Sequence, residues 1–132
     1  MSLQTVMWTG GPILLIEDEP SVIAFLRAAL ERRGYAVENA ASGAEGLKRL
    51  ERGRFAGVIS DIRMPGTVNG AEVHAWIQKN RPELSARIIL ISGDTANSDT
   101  QALLAQSGTP CIEKPFRVQH FISIVEKTFG KP

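Results

Sequence analysis

Four polar clusters carry the residues with chemical potential, and each closes a short apolar run: Glu17-Asp18-Glu19, Ser60-Asp61, Ser92-Gly93-Asp94 and Glu113-Lys114-Pro115. Carboxylates gathered at one place repel one another, and each raises its neighbours' pKa. A hard divalent cation relieves that repulsion. Mg²⁺ favours an octahedral shell of oxygens at roughly 2.0–2.1 Å and keeps several waters. One or two carboxylates plus a backbone carbonyl therefore leave room for a phosphoryl oxygen. Lys114 offers that group a second positive charge, and the Ser92 hydroxyl offers it a hydrogen bond. A carboxylate nucleophile, a metal, a cation and a hydroxyl are the parts needed to accept a phosphoryl group in line.

Taken singly, each cluster has an ordinary explanation. An acidic triplet is a common solvated loop, Asp61 can cap an approaching helix, and a lysine before proline is usually a surface residue. The chemistry requires that the four clusters meet, so the elements around them decide the matter.

Strands are expected at Ile13–Glu17, Ala36–Asn39, Gly57–Ser60, Arg87–Ser92 and Cys111–Glu113. Runs such as ILLI and IILI are apolar without alternation, as in strands covered on both faces by helices. A helix over 20–33 starts with Pro20, places Ile23, Leu26 and Leu30 at helical spacing and stops at Gly34. Ser42-x-x-Glu45 reads as a capping box for a helix that ends near Gly53. Asn69 caps a helix through about Asn80, closed by Arg81-Pro82. Further helices are expected over 97–107, ending at Gly108, and from 118 to Phe129, ending at Gly130. Strand and helix thus alternate five times, which implies a doubly wound α/β fold with a five-stranded parallel sheet. Such sheets bind ligands beyond the carboxyl ends of their strands. In the order 2-1-3-4-5 the first and third strands are neighbours, and Asp18 comes beside Asp61.

The chain of 132 residues fits one compact domain, and 43% hydrophobic residues suffice for a core without disulfides. Fifteen Lys and Arg against fourteen Asp and Glu leave a formal charge of +1, no footprint for nucleic acid or an acidic membrane. The single cysteine excludes an internal disulfide and a Cys-based zinc site and suits a reducing compartment. No apolar run approaches the roughly 20 residues that cross a bilayer, and residues 1–11 lack the pattern of a signal peptide. A cytoplasmic location is expected. Residues 1–11 show no period and read as a flexible lead-in.

The four ordered motifs ILLIEDEP, VISDIRMPG, ILISGD and IEKPF resemble those of the response-regulator receiver family, and the likeness covers about residues 13–129. It implies a (βα)5 flavodoxin-like receiver domain over 12–130. It further implies that Asp61 is the phosphoacceptor, and that Asp18, Asp61 and the Arg63 backbone carbonyl hold Mg²⁺, with Glu17 reaching the metal through water. Ser92 would be the switch hydroxyl and Lys114 the ligand of the phosphoryl oxygens. The implied partners are a histidine kinase or phosphotransfer protein as donor and a downstream protein effector. No direct contact with nucleic acid or membrane is implied, and the chain is expected to be a monomer or weak dimer. It is either a stand-alone receiver or part of a larger protein, with Ser107–Phe116 resembling receivers fused to hybrid histidine kinases.

The chain departs from that family in three places. Glu17 stands where Asp is more usual. The loop from Met64 to Gly70 is one residue longer than the shorter family version. Cys111 occupies the position, three residues before Lys114, that usually carries the aromatic ring of the switch. Arg63 and Asp94 are expected beside the path of the attacking water, where they would tune the lifetime of the phosphoryl group. Cys111 itself is expected to be a small buried filler, and His74 and His120 surface or boundary residues.

Other functions fit less well. A receiver that binds a partner without phosphorylation would not need Asp18, Asp61, Ser92 and Lys114 all intact. An aspartyl-phosphate hydrolase needs Asp-x-Asp, but here Asp61-Ile62-Arg63 lacks the second acid. A dinucleotide binder would carry Gly-x-Gly-x-x-Gly after the first strand, which is absent.

Overall fold

The computed structural model describes residues 8–63, 68–93 and 98–132. Its strands are β1 (Ile13–Ile16), β2 (Val37–Ala40), β3 (Gly57–Asp61), β4 (Ile88–Ser92) and β5 (Cys111–Glu113). Its helices are α1 (Pro20–Arg32), α2 (Gly43–Arg52), α3 (Gly70–Asn80), α4 (Ser98–Ser107) and α5 (Val118–Phe129). A short 3₁₀ turn over Pro82–Leu84 was not expected from sequence. It arises because Pro82 stops α3, yet its own fixed φ suits a tight turn. The sheet is parallel throughout in the order β2-β1-β3-β4-β5, as the alternation implies.

The uninterrupted apolar runs are explained by two cores, one on each face. Ile13, Leu15, Ile59, Ile89 and Ile91 point toward α1 and α5, where they meet Leu26, Leu30, Phe121, Val125 and Phe129. Their alternate neighbours Leu14, Ile16, Val58, Ile88 and Leu90 point the other way, toward Leu50 of α2 and Val73 and Ile77 of α3. Because successive strand side chains face opposite sides, a strand sandwiched between helix layers must be apolar at every position. Trp8, within the segment read as a lead-in, packs edge-on against Tyr35 with ring centroids 5.0 Å apart.

Helix ends follow their sequence signals. Asn69 accepts from the Glu72 amide at 3.0 Å while the Glu72 carboxylate accepts from the Asn69 amide at 3.4 Å, a complete capping box. At α2 the Ser42 hydroxyl accepts from the Glu45 amide, but Glu45 reaches back to the amide of Ala41 instead of Ser42. The α1 terminus is a Schellman arrangement: the Gly34 amide bonds the Glu31 carbonyl at 3.0 Å and the Tyr35 amide bonds the Leu30 carbonyl at 3.2 Å. Leu30 and Tyr35 are both buried there, which adds the usual apolar contact.

Gly34 sits at φ +93°, a conformation that a side chain disfavours by about 1–2 kcal/mol. A Cβ there would meet only Pro132 at ordinary contact distance, so backbone strain is the whole penalty. Gly34→Ala is therefore expected to destabilise the domain by about 1–2 kcal/mol, measured by urea unfolding, with Gly34→Asn losing less.

Candidate functional site

The register of the sheet builds the site. Ile16 pairs with Ser60, Asp61 with Ile91, and Ser92 with Glu113. The residues that follow or close these strands, Glu17, Asp61, Ser92 and Lys114, therefore share the carboxyl edge of β1, β3, β4 and β5. Each is fixed by backbone bonds beyond its own strand. The Glu17 amide donates to the Ala40 carbonyl at 3.0 Å, the Ile62 amide to the Ile91 carbonyl at 2.9 Å, and the Lys114 amide to the Ser92 carbonyl at 2.8 Å.

Lys114 joins the acids. Its Nζ donates to Asp61 Oδ2 at 2.7 Å and lies 3.5 Å from Glu17 Oε1. Asp61 also accepts from the Arg63 amide, through Oδ1 at 3.0 Å. Ser92 and Glu17 are each only 2% exposed, and Asp61 is 8% exposed, so these groups lie below the rim of the edge. Asp18 is exposed above them. The Lys114–Pro115 peptide bond is cis.

Glu17 is the unusual group. Its two carboxylate oxygens are buried without a hydrogen-bond donor. Burial, then the negative charges of Asp61 and Asp18, push its pKa up to about 7 against the pull of Lys114. Burial alone would lower the pKa of Lys114, but the hydrogen bond and charge of Asp61, with Glu17, reverse that and hold it above the ordinary lysine value. A buried carboxylate lacking donors is what a cation at this edge would stabilise, so the donor set fits Mg²⁺. Among the described residues, no three His, Cys, Asp or Glu side chains already converge as a metal cage.

Asp94 and the loop residues 64–67 lie outside the described residues. Cys111 is half-buried, as a filler at the edge of the second core, and burial followed by Glu113 and Asp61 raises its thiol pKa. One expectation needs correction. His74 is no surface residue but is 4% exposed, and its Nε2 lies 2.9 Å from Thr109 Oγ1. The loop before β5 closes over α3 and buries the ring, and that burial lowers its pKa.

Two residues that bear on the site went unnoticed in the sequence. Gly70 donates to the Ile62 carbonyl at 2.9 Å, and a Cβ on it would lie 2.8 Å from the Asp61 carbonyl oxygen. The start of α3 is thereby seated directly against the backbone of the Asp61 strand. The pair Asn69-Gly70 was the available signal. The other is Asn39, whose side-chain amide donates to the Leu15 carbonyl at 2.9 Å. A lone amide in an edge strand gave little reason to single it out.

Residues 13–126 match the response regulator receiver domain family. The chain belongs to that family. This receiver is 31% identical over 115 residues to the response regulator receiver protein CpdR of Brucella abortus, covering 87% of the chain and 93% of CpdR. It is 35% identical over 103 residues to the transcriptional regulatory protein GlrR of Escherichia coli, covering 78% of the chain but 22% of GlrR. The receiver thus spans about a fifth of that longer relative. Its fold is similar to the receiver domain of the sensor histidine kinase PA1611 of Pseudomonas aeruginosa, solved with magnesium in its active-site cleft. There the TM-score is 0.79 at 26% identity, over 93% of this chain and all (100%) of that one. It is a receiver domain of two-component signal transduction. Among the described residues, no helix is long and apolar enough to cross a membrane.

The raised Glu17 pKa sets a pH dependence. In EDTA the folded protein retains a proton on Glu17 up to about pH 7, whereas the unfolded chain releases it near the ordinary value of 4.5. The folded state therefore binds more protons across that window, and stability falls as pH rises through it. Glu17→Gln is expected to remove this slope and to gain about 1–3 kcal/mol at pH 8 relative to wild type. Urea unfolding between pH 5 and pH 8 checks this, and the opposing contribution of His74 cancels in the comparison.

Proposed function

We propose that Asp61 accepts a phosphoryl group from a phosphohistidine and that the new charge switches a protein-binding surface. The observation that carries this reading is the 2.7 Å contact of Lys114 Nζ with Asp61 Oδ2 beside the uncompensated Glu17. A surface salt bridge would need no third, buried acid next to it.

An Asp61 carboxylate oxygen attacks phosphorus as the P–N bond breaks. The imidazole leaves with that electron pair and takes its proton from solvent. Lys114 keeps its charge and moves with the transferred oxygens, to which the Ser92 hydroxyl donates. The Arg63 amide holds the other Asp61 oxygen in place. Asp18, Asp61 and the Arg63 carbonyl would hold Mg²⁺, with Glu17 acting through water. The ion would supply neutralising charge between the carboxylates and the phosphoryl oxygens. The magnesium in the PA1611 cleft supports this assignment. The donor would be a histidine kinase or phosphotransfer protein, and the reader of the switched surface a protein effector.

The phosphoryl group adds a charge of about −1.5 to −2 at a buried edge. Drawing Ser92 and its loop toward that charge biases the surface by about 1–3 kcal/mol, a usual allosteric scale. The half-buried Cys111 has no ring to swing inward. The response therefore travels through the loop after Ser92 or the face of α4 and α5.

Incubation with acetyl phosphate and Mg²⁺, followed by intact mass, is expected to add one phosphoryl group to the native protein and none to Asp61→Asn. Lys114→Ala should slow modification by about 100-fold or more. A native protein that stays unmodified would overturn the reading. Arg63 and Asp94 should together slow hydrolysis of the product by pairing across the path of the attacking water. Arg63→Ala and Asp94→Ala are each expected to shorten the phosphoryl lifetime, measured by the decay of the modified mass after acetyl phosphate is removed.

A further inference from the structure

The acidic loop between β1 and α1 is held by few bonds of its own. The last sheet bond of β1 runs from the Glu17 amide to the Ala40 carbonyl, and beyond it the Asp18 and Glu19 side chains are exposed. Glu19, at the start of α1, makes no side-chain cap, and Pro20 has no amide to offer. The loop must nevertheless hold two acids against mutual repulsion.

Asn39 supplies a side-chain donor at this point. It lies opposite Leu15 in the register of β1 and β2. Its Nδ2 donates to the Leu15 carbonyl at 2.9 Å, and the Ala40 and Glu17 carbonyls lie 3.3 Å and 3.5 Å away. The amide thus sits over the seam where β1 stops being a strand and turns into the acids. An uncharged donor suits this place. A lysine or arginine would compete with the cation for the acids, and an aspartate would add to their repulsion.

We infer that Asn39 is a positioning residue for the metal site: its side-chain amide fixes the exit of β1 and so sets where Glu17 and Asp18 stand. The inference rests on the reading of this edge as an Mg²⁺ site. The Asn39 amide contacts main-chain carbonyls and not the acids' carboxylates, so it acts through the backbone that carries them. Residues that orient ligands in this way typically change metal affinity by about 10- to 100-fold when removed.

Titration with Mg²⁺ alone, followed by amide chemical shifts, tests it on the full chain. Asn39→Ala and the near-isosteric, uncharged Asn39→Leu are both expected to weaken Mg²⁺ binding by about 10-fold or more. In EDTA, hydrogen exchange at the Glu17 and Asp18 amides should accelerate in both variants, while exchange in β3 and β4 stays as in wild type. Phosphorylation by acetyl phosphate should recover the wild-type rate once Mg²⁺ is raised to saturation. Asn39→Ser, which retains a donor, should recover part of the affinity.

Wild-type Mg²⁺ affinity in both Asn39→Ala and Asn39→Leu would overturn the inference, even if their melting temperatures fall. So would a rate deficit that persists at saturating Mg²⁺. Failure of the underlying reading looks different, because the unaltered protein itself would then not respond to Mg²⁺.

Discussion

Two acids and one cation, Glu17, Asp61 and Lys114, are forced together below the rim of one sheet edge, and the rest of the site is arranged around that conflict. The ammonium satisfies Asp61 through a 2.7 Å hydrogen bond but leaves Glu17 at 3.5 Å, outside hydrogen-bond range. One lysine cannot neutralise two buried carboxylates, so without a cation Glu17 keeps its proton up to about pH 7 and leaves negative charge over above it. Burying such charge costs folding energy unless a partner compensates it. A domain that retains the arrangement has a place that a cation would stabilise and where the proposed phosphoryl charge would meet a fixed positive group.

The scaffold makes this conflict sustainable. Parallel strands with both faces covered are rigid and dry, so the side chains at their ends cannot drift apart to relax. Gly70 brings the start of α3 against the backbone of Asp61, where a Cβ would collide with that strand. Asn39 ties the end of β1, and the Arg63 amide holds one Asp61 oxygen. The contacts of Gly70 and Asn39 lie on the backbone around the acids, and that of Arg63 on the Asp61 carboxylate itself.

The output side is less conventional. Where the family usually places an aromatic ring, Cys111 contributes a small half-buried group at the margin of the second core. A part-buried link stands just before it: His74 of α3 contacts Thr109 of the loop leading into β5. The start of β5 is therefore tied to α3 on the same face that a swinging ring would otherwise serve. This difference concerns how the charge is read. The group of residues proposed to acquire it is unaffected.

The sequence by itself determined the alternation of strand and helix, the parallel sheet and the identity of the residues at the strand ends. Those features follow from local physics: runs such as ILLI and IILI, Asn69 and Ser42 as caps, Gly34 as a stop. Asp61, Ser92 and Lys114 were legible because each directly follows or closes such a run. Only the tertiary structure decided how the charges balance, because Glu17 and Lys114 are far apart in the chain and their separation depends on register and burial. The same reason hid His74, Gly70 and Asn39. A histidine in a helix, a glycine after a cap and an amide in an edge strand look ordinary until another segment is laid against them.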